Sequence, residues 1–333
     1  MKRSKLFFVA LVCGRCLVGC QAQPPFGSEY LKLEKVIPLA GVKGRIDHLD
    51  CNAKDKIIYV AALGNNSLEI VGLDQGKVLH SIHGLDEPQG VAYVPQYQEI
   101  LVANGGNGKC NFFNALNFQP AGTIDLGSDA DDVRYDSVTQ KLYVGYGSGG
   151  IAVIDAASHQ VLGKALLPVH PESFQLLKSA NKIFVNLPDA NMIAVVDADK
   201  LKIIDKWKRD HLLDNYPMTL DQSAHHVIIG YRSPAVLEIN SETGKSLHTY
   251  AMVGDADDLY YDESRKRAYI GGGEGRLDIF QEEPNGSYKE IASIESRRGA
   301  RTSLFVPSLQ LWIVAARAQG RNEASLLVYS VVK

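Results

Sequence analysis

The sequence lacks most of the signals that assign a chemistry directly. Its 333 residues contain no HExxH zinc motif, no GxSxG nucleophile motif and no compact aspartate-rich calcium loop. Lys and Arg number 35 against 38 Asp and Glu, so the chain has no basic excess. Proteins that bind phosphate backbones need a broad basic surface. The sequence therefore predicts neither serine-based acyl transfer nor nucleic-acid binding.

An apolar run near the N-terminus is too short to serve as a stable membrane span. Basic residues at positions 2, 3 and 5 precede the run at 6–12, in the order typical of an export signal. The run ends in the tetrapeptide LVGC at 17–20, which resembles the bacterial lipoprotein box. The resemblance implies cleavage before Cys20 and lipidation of its thiol. A plain signal peptide is the alternative.

These features divide the chain into three parts. We expect a lipoprotein signal peptide at 1–19, the lipidated Cys20 and a Pro-containing tether at 20–32, and one folded domain at 33–333. The mature protein is then anchored in the cell envelope, at the periplasmic face of the outer membrane where the cell has two membranes.

Removal of the leader changes both charge and cysteine content. Four basic residues leave with 1–19, so 35 falls to 31 against 38 acidic residues, a net charge of −7. Cys13 and Cys16 also leave, and Cys51 and Cys110 remain beside Cys20. Those two cysteines either form a disulfide in an oxidising compartment or stay free.

One unit repeats seven times along the rest of the chain. Its landmark is a short β-branched and aromatic phrase that ends at residues 60, 102, 144, 185, 229, 270 and 314, with spacings of 41 to 44. Each unit holds four short strand-like runs between Gly, Asn, Asp and Pro turns, which is typical of a propeller blade. The sequence therefore predicts an all-β, seven-bladed β-propeller.

The two ends of the chain predict how the ring closes. The last unit contains only three strands, at 302–306, 311–315 and 326–331. The run Lys35-Val36-Ile37 stands where an outer strand should precede blade 1. We expect this N-terminal strand to complete the last blade and to cover its open edge.

The best copy of the repeat also resembles a known group. The segment LYVGYGSGGIAVIDAASHQVLGKALLP at 142–168 is similar to the YVTN-type repeat of YncE-like seven-bladed propellers, which are exported bacterial proteins. The resemblance extends over residues 33–333 and implies a WD40-like propeller. The group includes surface, periplasmic and binding proteins, and one class is associated with single-stranded DNA, a role that the charge of −7 disfavours.

Polar residues precede each landmark at fixed offsets. We define the fifteen-back column as Arg45, Glu87, Asp129, His170, Asp214, Asp255 and Gly299. The thirteen-back column is Asp47, Gln89, Asp131, Glu172, Tyr216, Asp257 and Arg301. The fourteen-back column between them is mostly apolar: Ile46, Pro88, Ala130, Pro171, Asn215, Ala256 and Ala300. Ring geometry would bring these columns to one channel mouth.

Two interpretations of the acidic mouth stay open. Asp and Glu accept backbone N–H bonds in tight turns, so the pattern could be turn chemistry repeated by duplication. It could also be a functional site, in which bound cations or hydrogen bonds offset the repulsion between like charges. The candidate ligand-binding residues are then Arg45, His48, Glu87, Asp129, Asp131, His170, Glu172, Asp255, Asp257 and Arg301.

A metal is part of the second interpretation. The candidate ligands are Asp131, His170, Glu172 and Asp257. Carboxylate and carbonyl oxygens suit Ca²⁺ or Mg²⁺, whereas histidine ligands shift the preference toward Zn²⁺. The sequence does not choose among these ions.

Two functions of different class follow. The favoured one is a non-catalytic, monomeric binding scaffold for a small molecule or a protein partner in the cell envelope. The alternative is a metal-dependent hydrolase or lyase similar to propeller lactonases, with Glu172, Asp131 or His170 as general base.

Overall fold

The computed structural model describes Gly27 and residues 29–209 and 211–332. The predicted leader at 1–19 and the predicted lipidation site Cys20 lie outside the described residues. Within the described ranges, no helix is both long enough and apolar enough to cross a bilayer.

The described chain forms 28 strands in seven antiparallel sheets of four, which we call blades 1 to 7. The first strand is β1 (Leu31–Pro38). Blade 1 contains β2 (Leu49–Asn52), β3 (Ile57–Ala62), β4 (Ser67–Gly72) and β5 (Lys77–His83). Blade 2 contains β6 (Pro88–Val94), β7 (Glu99–Asn104), β8 (Lys109–Asn114) and β9 (Pro120–Asp125). Blade 3 contains β10 (Ala130–Asp136), β11 (Lys141–Tyr146), β12 (Gly150–Asp155) and β13 (Val161–Leu166). Blade 4 contains β14 (Phe174–Leu177), β15 (Lys182–Leu187), β16 (Met192–Asp197) and β17 (Lys202–Lys208).

The remaining three blades follow the same plan. Blade 5 contains β18 (Asn215–Asp221), β19 (His226–Tyr231), β20 (Ala235–Asn240) and β21 (Ser246–Ala251). Blade 6 contains β22 (Ala256–Asp262), β23 (Arg267–Gly272), β24 (Arg276–Glu282) and β25 (Tyr288–Glu295). Blade 7 contains β26 (Thr302–Val306), β27 (Leu311–Ala316) and β28 (Ser325–Val331) together with β1. Single-turn 3-10 helices lie at Leu63–Asn65, Lys178–Ala180, Pro188–Ala190 and Pro307–Leu309.

The landmark phrase of the repeat forms the second strand of every blade. These strands are β3, β7, β11, β15, β19, β23 and β27. They are buried on both faces, because each face packs against the sheet of a neighbouring blade, and this explains their continuous apolar runs. The predicted all-β, seven-bladed propeller is confirmed.

The hydrophobic core is divided among the contacts between blades. Seven clusters of buried side chains each lie between two successive blades, including the contact of blade 7 with blade 1. Between blades 6 and 7, Tyr269 stacks on Phe305 with ring centroids 4.9 Å apart and meets Trp312 edge-on at 5.5 Å. An isolated blade would expose both of its faces. Each blade is therefore stable only when its two neighbouring blades cover those faces.

The N-terminal strand closes the ring, as the sequence predicted. Strand β1 pairs antiparallel with β28, from Leu31 opposite Val331 to Pro38 opposite Ser325. Blade 7 therefore consists of one strand from the start of the domain and three from its end. This pairing covers the outer edge of β28, which would otherwise be exposed.

Carboxylates of the inner strands connect one blade to the next. Asp50 in blade 1 accepts a hydrogen bond from the Tyr93 backbone N–H in blade 2, at 2.6 Å. Asp258 in blade 6 accepts one from the Ser303 N–H in blade 7, at 2.7 Å. Part of the acidity near the channel thus has a structural role, since it satisfies inner-strand N–H groups at the contact between blades.

The two cysteines of the domain are free thiols. Cys51 packs at the contact between blades 7 and 1, whereas Cys110 is buried between blades 2 and 3. Burial raises the pKa of each thiol to about 12. Of the two alternatives that the sequence left open, the structure has the unpaired one.

Candidate functional site

The thirteen-back column lines a single cavity at the mouth of the central channel. All seven of its members face a space of about 300 Å³: Asp47, Gln89, Asp131, Glu172, Tyr216, Asp257 and Arg301. Each blade contributes one side chain from the start of its inner strand. The ring therefore brings together residues that are up to 254 positions apart in sequence, from 47 to 301.

In four of the seven blades, a bulge lies at the start of the inner strand, next to the thirteen-back residue. In blade 3, Ala130 pairs with Tyr146 and the regular register resumes only at Val133, so Asp131 and Asp132 have no partner across the ladder. Blades 2, 5 and 6 have the same irregularity. Because a bulge interrupts the alternation of side chains, two consecutive residues can line the cavity, as Asp131 and Asp132 do.

The fifteen-back column consists mainly of turn residues. Glu87, Asp129, Asp214 and Asp255 all have positive φ, between 41° and 63°, and Gly299 has φ 78°. The backbone carbonyls of the four acidic residues accept a recurring hydrogen bond from the loop after the second strand, for example Gly105 N to Glu87 O at 2.9 Å. This conformation favours short polar residues and glycine. Turn chemistry thus accounts for this column in most blades.

The side chains of that column differ in position. Arg45, Asp129 and His170 line the channel mouth. Asp255 lines a small adjoining cavity of about 40 Å³. Glu87 is exposed and lies outside the lining of both cavities. The fourteen-back column between them is buried in every blade.

Arginines offset the acids on one side of the mouth. Arg301 contacts Asp257 through Nε at 2.5 Å and donates to Asp255 through Nη1 at 2.9 Å. Arg232, from the loop after β19, approaches Asp257 at 3.4 Å and lies over the ring of Tyr216, 3.6 Å from its centroid. Burial raises the pKa of Asp257, and the two arginines oppose that rise. The positive charges that balance this part of the mouth come from the chain itself.

A third arginine extends the same pattern into blade 1. Arg45 donates to Asp47 at 2.9 Å. The Asp47 carboxyl is buried, and burial raises its pKa to about 6 even though His48 and Arg45 favour its charged form.

Histidines face the acids on the other side. His170 donates through Nδ1 to Gly147 O at 2.6 Å, and its Nε2 is 3.6 Å from Asp131 Oδ2. Burial lowers the pKa of His170, but Asp131, the Gly147 carbonyl and Asp129 outweigh it and raise the pKa to about 9. This imidazole is therefore protonated at neutral pH.

His48 lies at the inner end of the mouth, where the mouth meets the deeper part of the channel. Its Nε2 is 3.9 Å from Asp131 and its Nδ1 is 3.7 Å from Asp258. Burial opposes its ionisation, but Asp258, Asp132 and Asp47 together raise its pKa well above the usual value.

Two carboxyl groups on this side have incomplete hydrogen bonding. The side chain of Glu172 makes no hydrogen bond or ion pair with any residue that the structure describes, and Oδ1 of Asp131 is buried without a hydrogen bond. Burial and the nearby Asp131 charge raise the pKa of Glu172 to about 8, against the effect of His170.

The four predicted metal ligands all line the same cavity. Asp131, His170, Glu172 and Asp257 come from blades 3, 4 and 6. Across the described residues, no three His, Cys, Asp or Glu side chains are grouped closely enough to hold a metal ion. Metal binding stays a prediction.

The ten ligand-binding residues predicted from the sequence did not include every residue that lines the channel mouth. Asp47, Gln89, Asp132, Ser173, Tyr216 and Arg232 also border the cavity. The thirteen-back column held the signal for Asp47, Gln89 and Tyr216, although only the carboxylate of Asp47 resembles the chosen ligands in residue type. Arg232 comes from the loop after the landmark strand of blade 5, a loop that the sequence also suggested for this face, and it lines the mouth.

A second cavity continues the channel below the mouth. It has a volume of about 540 Å³ and shares His48, Asp132, Ser173 and Asp257 with the mouth. Tyr93, Tyr135, Tyr260 and Phe305 border it, so this end is more aromatic than the mouth.

Comparison with known proteins supports the fold alone. No protein-family model and no curated protein matches the chain. Among solved structures, a chain of the Mitotic Checkpoint Complex is similar with a TM-score of 0.76 and 16% identity, over 100% of this chain and 99% of that one. A chain of the Kuenenia stuttgartiensis hydrazine synthase is similar with a TM-score of 0.74 and 13% identity, over 87% of this chain and 97% of that one. The chain shares with these proteins a WD40-like β-propeller fold.

Proposed function

We propose that this chain is a non-catalytic binding scaffold whose channel mouth takes a small polar ligand or a polar group of a protein partner. One observation carries the proposal: the thirteen-back residues of all seven blades line one cavity of about 300 Å³. Small-molecule sites are concave and have a few polar groups that fix the ligand. The ring is rigid because each blade is packed on both faces, so the site needs little ordering on binding.

The fold is consistent with a role in protein assembly. One chain of similar fold belongs to the Mitotic Checkpoint Complex, a multi-protein assembly by its name. Fold alone does not specify a partner, so the partner of this chain must be inferred from its own channel mouth.

The proposal includes an envelope location and a YncE-like origin. The basic residues at 2, 3 and 5, the short apolar run and LVGC at 17–20 support export and lipidation of Cys20. Mass spectrometry of the mature N-terminus tests this directly. We expect an acylated Cys20 in the wild type and an unprocessed chain for Cys20→Ser. An unmodified N-terminus at another residue would instead support a plain signal peptide.

Binding is tested by a thermal-shift screen of the purified chain against small metabolites sorted by charge and hydroxyl content. We expect at least one class to raise the melting temperature, and Asp131→Asn to reduce that shift. Glu242→Gln is the matched control, because Glu242 is an exposed turn residue between β20 and β21. No stabilising class, or equal shifts in the wild type and Asp131→Asn, would contradict the proposed site.

One observation favours a metal-dependent hydrolase or lyase as the second candidate. The Glu172 carboxyl has a pKa of about 8 and no partner, and a general base works best with a pKa near the operating pH. Elemental analysis of the purified chain, combined with melting in Ca²⁺, Mg²⁺ and Zn²⁺, tests it. A stoichiometric metal that Glu172→Gln removes would support the enzyme, and the absence of metal and of any thermal shift would leave the scaffold.

A further inference from the structure

The wall formed by blades 3 and 4 presents carboxylate acceptors without hydrogen-bond donors, one buried at Asp131 and one half-buried at Glu172. Asp131 is only 7% exposed, and its Oδ1 has no hydrogen bond within the described residues. The nearest cationic nitrogens are His170 Nε2, 3.6 Å from Oδ2, and His48 Nε2, 3.9 Å from Oδ1. Both distances exceed the length of a hydrogen bond. Glu172 faces the same cavity and has no partner among the described side chains.

Such groups ordinarily have a partner. An unsatisfied buried acceptor costs about 1–3 kcal/mol, and native proteins retain few of them without a reason. A ligand with N–H donors and positive charge would satisfy Asp131 and would favour the charged carboxylate form of Glu172 beside it. A primary ammonium group offers three donors and one positive charge.

The wall formed by blades 5 to 7 contains one unsatisfied donor among arginines that are otherwise paired with Asp255 and Asp257. Arg232 lines the cavity, and its buried Nε has no hydrogen-bond acceptor, with Asp255 Oδ1 4.0 Å away. Stacking on Tyr216 fixes the plane of this guanidinium. Arg301 faces the cavity beside it. An acceptor with negative charge would complete this wall.

We propose that the channel mouth binds a small zwitterion, with its ammonium group at Asp131 and Glu172 and its carboxylate at Arg232 and Arg301. This assigns a ligand class to the proposed binding function and rests on that function. A ligand with only one charge would satisfy one wall and meet like charge on the other. A zwitterion satisfies both and adds no net charge to a mouth that already contains paired arginines and aspartates.

The size of the cavity limits the ligand. A water molecule occupies roughly 30 Å³ in the liquid, so a space of about 300 Å³ accommodates a molecule of about ten non-hydrogen atoms. Amino acids and short ω-amino acids are of this size. A peptide longer than two residues is not expected to enter completely.

Isothermal titration calorimetry on the purified chain tests the ligand class. The probes are the proteinogenic amino acids and the unbranched ω-amino acids of two to six carbons. Each is compared with the amine and the carboxylate of the same length, such as 4-aminobutanoate with butylamine and butanoate. We expect at least one zwitterion to bind at least tenfold more tightly than both of its singly charged analogues.

Two variants identify the ends of the site. Glu172→Gln should weaken zwitterion and amine binding at least tenfold and leave carboxylate binding unchanged. Arg232→Gln should weaken zwitterion and carboxylate binding and leave amine binding unchanged. Glu242→Gln, the exposed control, should change none of these affinities. If either variant fails to fold, the comparison of each zwitterion with its analogues in the wild type decides the proposal.

Several outcomes would overturn the proposal. These are equal affinity for a zwitterion and one of its analogues, unchanged zwitterion affinity in both variants, or displacement of the zwitterion by Ca²⁺ or Zn²⁺ at the same residues. If no zwitterion binds while another class stabilises the protein in the thermal-shift screen, the ligand class is wrong and the binding function stands. If neither experiment detects a ligand, both proposals fail.

Discussion

Closure of the ring by β1 predicts a large difference between two neighbouring residues. Ile37 is fully buried in the core between blades 7 and 1, opposite Leu326 on β28. Val36 is the preceding residue of the same strand, and it is 45% exposed because its side chain points to the other face. Ile37→Ala therefore removes packing at the closure, whereas Val36→Ala removes little.

The size of the effect follows from the buried surface. Ile→Ala deletes three carbon atoms at roughly 0.8 kcal/mol each, and the cavity left behind brings the expected loss to about 3 kcal/mol. Val36→Ala should cost less than about 1 kcal/mol. With an unfolding entropy near 2.1 cal/mol/K per residue over about 300 residues, a loss of 3 kcal/mol lowers the melting temperature by about 5 °C.

Urea unfolding monitored by tryptophan fluorescence measures the difference. Trp312 is fully buried in β27, beside the closing pair of strands, and it reports opening of blade 7. Equal losses of unfolding free energy in the two variants, or a loss below about 1 kcal/mol for Ile37→Ala, would show that β1 does not hold the ring closed.

The remaining predictions concern titration and thiol chemistry. The pKa of Glu172 is about 8 in the folded chain and 4.5 in the unfolded chain. Between pH 4.5 and pH 8 the folded state therefore binds more protons than the unfolded state. The contribution of Glu172 to the free energy of unfolding is therefore greatest at low pH and falls by about 2 kcal/mol between pH 6 and pH 8. Urea unfolding of Glu172→Gln should lack this part of the pH dependence, whereas Glu242→Gln should retain it. Parallel pH profiles for the wild type and Glu172→Gln would refute the assignment. The Cys51 and Cys110 thiols, whose pKa values burial raises to about 12, should resist alkylation at pH 8 in the folded protein and react on unfolding, as peptide mass spectrometry can localise. Rapid labelling of Cys110 in the native state would indicate that blades 2 and 3 separate.

The sequence was sufficient to predict the fold because the repeat is a regular pattern of buried strands. The landmark strand is apolar in every unit, since every copy packs between two sheets, and its spacing counts the blades. The position of β1 was also predictable, because Lys35-Val36-Ile37 stands at a fixed distance before the first inner strand. These inferences depend on main-chain geometry, which the repeat shares among blades.

The channel mouth was predictable only in part. Asp129 and Glu87 occupy the same column and the same left-handed backbone conformation, with φ of 41° and 51°, yet only Asp129 lines the cavity. Asp129 accepts a hydrogen bond from Gln89, which holds it toward the channel. Arg232 reaches the mouth from another loop by lying across Tyr216. Side-chain directions of this kind depend on contacts between blades, which the one-dimensional pattern does not contain.

The seven copies also separate structural from functional residues without any comparison to other proteins. The fifteen-back position has positive φ in five blades, so turn geometry explains its preference for Asp, Glu and Gly. The fourteen-back position is buried in all seven blades, so packing explains its preference for apolar residues. The thirteen-back position has one location in every blade but holds Asp, Gln, Glu, Tyr or Arg. A requirement of the fold would act equally on all seven copies, and it would not produce such different side chains at equivalent backbone positions. The chemistry of the thirteen-back ring is therefore not explained by the blade, and the function of the protein is best sought there.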